Sequence, residues 1–189
     1  LEQLQPDRWN EQTLCAAWKV RHAVAHLAGG TEMKVAPFLG QMVKSGLNFN
    51  KAIAAIALRD GDAPVADVLN GFRAAVESER RPPGAKPMDV LLDNLVHQQD
   101  IRRPLGASRV LAEERAVAVA EHAAGNRFPF GARKRIAGLK LRAEDAEWST
   151  GDGPEVSGPI EALILMLVKR PAGLADLKGE GLETLASRM

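Results

Sequence analysis

The segment "PIEALILMLVKR", Pro159 to Arg170, limits the fold more than any other stretch. Ile160, Leu163, Ile164, Leu167 and Val168 recur at the spacing of a helix face that meets a core. Leu165 and Met166 fill much of the remaining circumference, so the expected helix is apolar nearly all round. Such a helix has to be central, with other elements packed around it. It is too short to cross a bilayer, which takes about 20 apolar residues, and it contains Glu161. No longer apolar run exists and no signal peptide is recognisable at the start, so a cytoplasmic protein without a membrane partner is expected.

The elements around that helix are themselves mostly helical in pattern. In "NEQTLCAAWKVRHAVAHLAGG", Leu14, Ala17, Trp18, Ala25 and two histidines fall near one stripe, and Gly29-Gly30 is the expected stop. The segments Glu32–Gly46, Asn48–Gly61 and Pro64–Glu79 follow, each bounded by glycine, proline or asparagine. Asn50 is the expected N-cap of the second of these, and Asp62 is expected to help cap the third. The prolines of "RRPPGAKP" bar a helix from running through Arg80–Pro87. The next helix ends at Pro104-Leu105-Gly106, and Ala107–Ala124 reads as another, with Gly125-Asn126 beyond its end.

One region reads as strand. In "RIAGLKLRAEDAEWSTGDG", Leu139 and Leu141 alternate with Lys140 and Arg142. Glu144-Asp145 is the expected turn and Trp148 belongs to the returning strand. The glycine-rich "GDGPEVSGP" lacks the lysine and spacing of a phosphate loop and reads as turns leading to the last helix. The fold class is therefore mainly α, with a small β-hairpin near the C-terminal third. At 189 residues the chain suits a single domain, residues 1–189.

Charge excludes some functions. With 25 Lys+Arg against 24 Asp+Glu, there is no electrostatic case for binding nucleic acid or an acidic membrane. The single cysteine, Cys15, forbids an intrachain disulfide and fits a reducing compartment. It lies in an apolar stretch with no basic neighbour, the setting of a buried inert thiol. His122, beside Glu121 on a charged helix, reads as solvated.

The remaining histidines carry the chemistry. In "DNLVHQQDIRR", Asp93 and His97 are one helical turn apart and share a face. His22 and His26 have the same spacing. Two ligand sets follow: His22, His26 and His97, or His26, Asp93 and His97. Either gives three protein ligands from two helices and leaves coordination positions open, as a catalytic metal requires. Such donors suit zinc, nickel or iron. Arg102 and Arg103 are the candidate cofactor- and substrate-binding residues, arginine being suited to clamp a carboxylate.

Three stretches in order resemble the mycothiol-dependent maleylpyruvate isomerase family, among the DinB-like metal-binding helical bundles. They are "WNEQTLCAAWKVRHAVAHLAGG" (Trp9–Gly30), "LLDNLVHQQDIRRPLG" (Leu91–Gly106) and the C-terminal part from "FPFGARKR" to "LMLVKR" (Phe128–Arg170). The likeness is weak over Thr31–Pro87. It implies a DinB-like four-helix-bundle fold with metal ligands at His26, His97 and the position one turn before it. That position is often glutamate or histidine in the family and is Asp93 here. Lys19 replaces a capping threonine or serine, and His22 stands where an acid is common. The family has a complete helix ahead of the loop ending at Trp9, so the first helix is expected to be truncated.

The resemblance also implies a function. Mycothiol would bring its sulfur to an open position of a divalent metal, zinc first, where it loses its proton near neutral pH. The thiolate could add to an activated double bond, allow rotation and leave, giving isomerisation, or it could transfer its sulfur. Asp100 would orient His97 from behind. The partners are then a small thiol and a small electrophile, with a homodimer as one expected assembly. Two other readings exist on the same bundle: a water-using metal hydrolase, and a non-catalytic metal-binding or regulatory module.

Overall fold

The computed structural model describes residues 1–107, 111–126 and 130–189. The start of the expected helix at Ser108–Val110, and Phe128-Pro129 of the third resembling stretch, lie outside the described residues. The chain forms two compact units, Leu1–Ser108 and Arg109–Met189.

The first unit is helical. A 3₁₀ turn at Pro6–Asn10 is followed by α1 (Val20–Glu32), α2 (Val35–Lys44), α3 (Phe49–Gly61), α4 (Val65–Val76) and α5 (Pro87–Arg102). Helix α1 packs chiefly on α4 and α3, and also touches α5. Trp9, Trp18, Val20, Ala23, Val24, Ala57, Val68 and Ile101 form the shared core. Cys15 is half-buried against it. Small residues let α1 and α3 approach closely. A Cβ added to Gly61 would meet His22 Cδ2 at 2.5 Å and His22 Cα at 2.7 Å, so glycine is needed there. Helix α2 buries none of its residues, and Val35, Leu39 and Val43 are exposed along it.

Several local expectations change. Gly29-Gly30 does not stop α1, which continues to Glu32. A glycine ends a helix when it turns left-handed, and neither residue has a positive φ. Lys19 precedes α1 without a capping side chain. His22 instead accepts a hydrogen bond from the Lys19 backbone N–H at 3.1 Å, the reach usually made by glutamate. The cap of α3 is Asn48, whose side chain accepts from Lys51 N–H at 2.9 Å, and not Asn50, which lies inside the helix. Pro64 precedes α4, and Asp62 does not cap it.

The second unit is built on α8 (Ile160–Leu167), where every residue except Glu161 is buried. Around α8 lie α6 (Glu113–Ala124), the 3₁₀ turn Pro171–Asp176 and a small sheet. Asp145 accepts from the Ile160 N–H at 2.7 Å at the start of α8. At its end, the buried Arg135 of α7 (Ala132–Arg135) donates to the carbonyls of Met166 and Leu167 at 3.1 and 2.9 Å. A guanidinium there satisfies carbonyls that the helix cannot. Helix α9 (Leu182–Ala186) closes the chain.

The sheet has the order β2-β1-β3. Strand β1 (Lys140–Ala143) pairs antiparallel with β2 (Ser149–Thr150), the expected hairpin, and Trp148 immediately precedes β2. The "GDGPEVSGP" segment is more than turns, because Glu155–Gly158 forms β3, parallel to β1. Four residues carry the chain from β2 across to the far side of β1. Gly151 and Gly153 have φ of 76° and 126° and press on the Leu139 and Gly138 carbonyls, where no Cβ fits. No helix among the described residues is long and apolar enough to cross a membrane.

Candidate metal centre

Helix α5 starts conventionally. Pro87 is its first residue, and Asp89 accepts from the Lys86 N–H at 2.9 Å. Its interior is unusual, because polar side chains face inward: His97, Gln99 and Asp100 are buried beside Leu92, Leu95 and Val96. Asp93, His97 and Asp100 follow one another at the spacing of successive turns, so they share a face. Helix α1 packs on α5 within the first unit and contributes His26.

Asp93 joins the two histidines. Its Oδ2 is 3.2 Å from His26 Nε2, and its Oδ1 is 3.5 Å from His97 Nε2. One ligand atom from each of the three residues lies within 4.8 Å of the other two. Behind His97, Nδ1 donates to Asp100 at 2.9 Å, and Asp100 is fully buried. This bond turns Nε2 toward Asp93, the arrangement that orients metal-ligating histidines. The donor set fits a divalent cation. Tetrahedral zinc with bonds of about 2.0–2.2 Å keeps its donors roughly 3.4 Å apart, close to the two carboxylate–imidazole separations. The side chain of Asp93 is 45% exposed and that of His97 is 8% exposed, so the cluster opens to solvent on the aspartate side.

Electrostatics bind the same groups together. Burial opposes the charged form of His97, but the hydrogen bonds to Asp100 and Asp93 and both carboxylate charges outweigh it, raising the ring to about 9. Burial likewise opposes ionisation of Asp93. The bonds and charges of His26 and His97 prevail and hold its carboxyl well below the ordinary range. A carboxylate crowded by two imidazoles but open to water can be both charged and accessible. A cation entering here takes over the role of the imidazolium proton.

Trp18 borders the cluster. Its ring centroid is 4.8 Å from that of His26 and 5.1 Å from that of His97, while the two imidazoles are 4.8 Å apart, edge to face. The sequence spacing puts Trp18 near one stripe with His22 and His26, but the residue precedes α1 and meets His26 and His97 from the loop ahead of it.

His22 stands apart from the cluster. Its Nδ1 accepts from the Lys19 N–H, so Nε2 carries the proton and faces Asp62 Oδ1 at 3.2 Å. Both nitrogens are engaged, and His22 locks the start of α1 to the end of α3. Arg21 reinforces the lock through the Gly61 and Ala63 carbonyls. Arg102 is the last residue of α5 and Arg103 its C-cap, both half-buried. At about 100° per residue, Arg102 lies roughly opposite Asp93 on the helix, and Arg103 about 80° from it.

No protein-family profile matches the chain, and no curated protein matches its sequence. The fold is that of maleylpyruvate isomerase, mainly helical with a small three-stranded sheet. The similar solved structure is a histidine-to-alanine mutant of the mycothiol-dependent maleylpyruvate isomerase. It matches with a TM-score of 0.59 and 13% identity, over 95% of this chain and 85% of that one. A second crystal structure of that isomerase matches with the same identity and coverage at a TM-score of 0.46.

Proposed function

We propose that the chain is a metal-dependent enzyme that uses a small thiol, mycothiol, either to isomerise a small electrophile or to transfer the thiol's sulfur onto it. The observation that carries this reading is the convergence of His26, Asp93 and His97 from two helices, with their donor atoms within 4.8 Å. The fold shared with a mycothiol-dependent isomerase supports the choice of thiol. In this reading His26, Asp93 and His97 hold the ion, zinc in the first instance, with nickel and iron accepting the same donors. When bound, the metal supplies a positive centre that lowers the pKa of a thiol into the neutral range.

The chain's own groups do the rest. Asp100 holds the Nδ1 proton of His97, so that Nε2 is the free donor. Asp93 would neutralise one of the two positive charges of a divalent ion held here, leaving a net positive charge that would attract an anionic group. The exposed side of Asp93 is the approach for thiol and electrophile. Arg103, nearer the Asp93 face, is proposed to meet a substrate carboxylate, whereas Arg102 lies on the opposite side of α5 and is set aside.

Elemental analysis of the purified protein tests the centre. One equivalent of metal is expected, lost in both His26→Ala and His97→Ala. Addition of mycothiol to the cobalt-substituted protein is expected to add a sulfur-to-cobalt charge-transfer band, and a panel of electrophiles then defines the reaction. A stoichiometric metal whose cobalt spectrum ignores saturating mycothiol would remove the thiol and leave a water-using or non-catalytic site.

A further inference from the structure

We propose that Trp18, held by the Gln12–Lys19 loop, is the positioning residue of this centre, fixing the ring orientations of His26 and His97. The inference rests on the reading that these histidines hold a metal. The three ring centroids form a nearly equilateral triangle with sides of 4.8, 5.1 and 4.8 Å. Neither imidazole can swing about its Cβ–Cγ bond toward Trp18 without displacing the indole. Asp93 contacts both Nε2 atoms, so carboxylate and indole together restrict both rings.

The loop is built to keep that ring still. Trp18 N–H donates to the Cys15 carbonyl at 2.8 Å. The Trp18 carbonyl accepts from Thr13 Oγ1 at 2.7 Å, from Gln12 Nε2 at 2.8 Å and from Thr13 N–H at 3.1 Å. Gln12 Nε2 also donates to the Cys15 carbonyl at 2.9 Å. The loop then reaches α5 directly, because Leu14 N–H donates to the carbonyl of Asp100 at 3.0 Å. Asp100 is the residue whose side chain orients His97. One short loop therefore braces His26 through ring contact, and His97 through both ring contact and the backbone of Asp100.

Packing places this tryptophan, not hydrogen bonding. Trp18 is 5% exposed, and its indole N–H has no hydrogen-bond partner among the described residues. Leaving such a donor buried and unpaired is unfavourable, so the indole is held there by its ring contacts. A leucine would fill part of the core without that cost but would present no flat face to the two imidazoles.

The test compares Trp18→Leu with the conservative Trp18→Phe. In metal-free protein, long-range ¹H–¹⁵N spectra report each imidazole. Trp18→Leu is expected to shift and broaden the His26 and His97 ring signals, because the rings sample more than one orientation, while His122 stays unchanged, and Trp18→Phe to restore most of the parent pattern. Cobalt binding is expected to weaken about 10–100-fold in Trp18→Leu, the range for residues that orient ligands, with a weaker visible band. If Trp18→Leu does not fold, Gln12→Met loosens the loop while keeping the indole, and a smaller change in the same direction is expected. Parent-like imidazole shifts in every folded variant would overturn the proposal. A parent protein that takes up no cobalt would remove the metal reading instead, and the metal-free spectra would still decide whether Trp18 positions the rings.

Discussion

Helices α5 and α8 are the most deeply buried helices of their respective units, and they are buried for opposite reasons. Helix α8 hides side chains that water rejects: all but Glu161 are buried, and nearly all are apolar. Helix α5 hides His97, Gln99 and Asp100 together with its leucines, and its polar groups must find partners inside. Burial of α8 is a consequence of its composition. Burial of the polar side of α5 follows only from what α1 and the Gln12–Lys19 loop bring to it. The contrast separates a helix buried by its composition from one buried through its polar partners.

Removing a side chain from each helix is the strongest way to break the comparison. His97→Ala leaves the Asp100 carboxylate buried without its imidazole partner, and loss of one member of a buried pair costs about 3–5 kcal/mol. The variant should also lose its metal, so a denaturant melt and metal analysis should both change. Leu163→Ala in α8 is expected to cost about 2–5 kcal/mol by opening a cavity, and its first unit should bind cobalt as the parent does. If Leu163→Ala abolished metal binding while His97→Ala left it intact, the division of roles would be wrong.

Acidity sharpens the comparison further. The folded pKa of His97 is raised from 6.5 to about 9, so its stabilisation is complete below about pH 6.5 and is lost as pH rises toward 9. Asp93 is depressed, so its stabilisation is present above its ordinary 3.8 and is lost on acidification. The two shifts share the His97–Asp93 contact, beside the Asp100 bond to His97 and the His26 bond to Asp93, and are not additive. Metal-free protein should therefore be most stable between about pH 4 and 6.5, and lose up to about 3 kcal/mol by pH 9. Cobalt affinity should rise across that upper window, because the metal displaces the His97 proton. Denaturant midpoints and cobalt titrations at pH 6, 7.5 and 9 check both trends. His97→Ala should flatten them, whereas substitutions in α8 should not.

The smallest effect is expected on α2, where nothing is buried. Val43 is 71% exposed, and Val43→Ser should change stability by less than about 0.5 kcal/mol in the same melt. A large loss there would mean that α2 is covered in solution.

How much of this was legible beforehand varies with how local the cause is. The apolar circumference of Ile160–Leu167 and the alternation around Leu141 each reside in a few adjacent residues, and both gave the right element. The third strand did not, because Glu155–Gly158 has no alternating pattern of its own. It pairs with β1 only because glycines let the chain cross over the Gly138 and Leu139 carbonyls. Gly29-Gly30 misled because glycine permits a helix stop without requiring one. In the site, the histidine and aspartate spacings identified the candidates, and Asp100 was recognisable as a possible partner of His97. The spacing His22–His26 is the same as Asp93–His97, so it could not say which members would converge. The close contact of Gly61 with His22, and the pairing of His22 with Asp62, take that histidine out of the cluster.

The amino-acid order alone determined a mainly helical chain with one apolar central helix, a short hairpin and two one-turn pairs of possible ligands. Those follow from periodicity, which acts between neighbours in sequence. Tertiary packing decided that His26, Asp93 and His97 meet, that Trp18 stands against both imidazoles, and that His22 is spent on holding α1 to α3. Such choices depend on distances between residues as many as 79 positions apart, as Trp18 and His97 are, and those distances are fixed only when close packing of small residues sets how near the helices can approach.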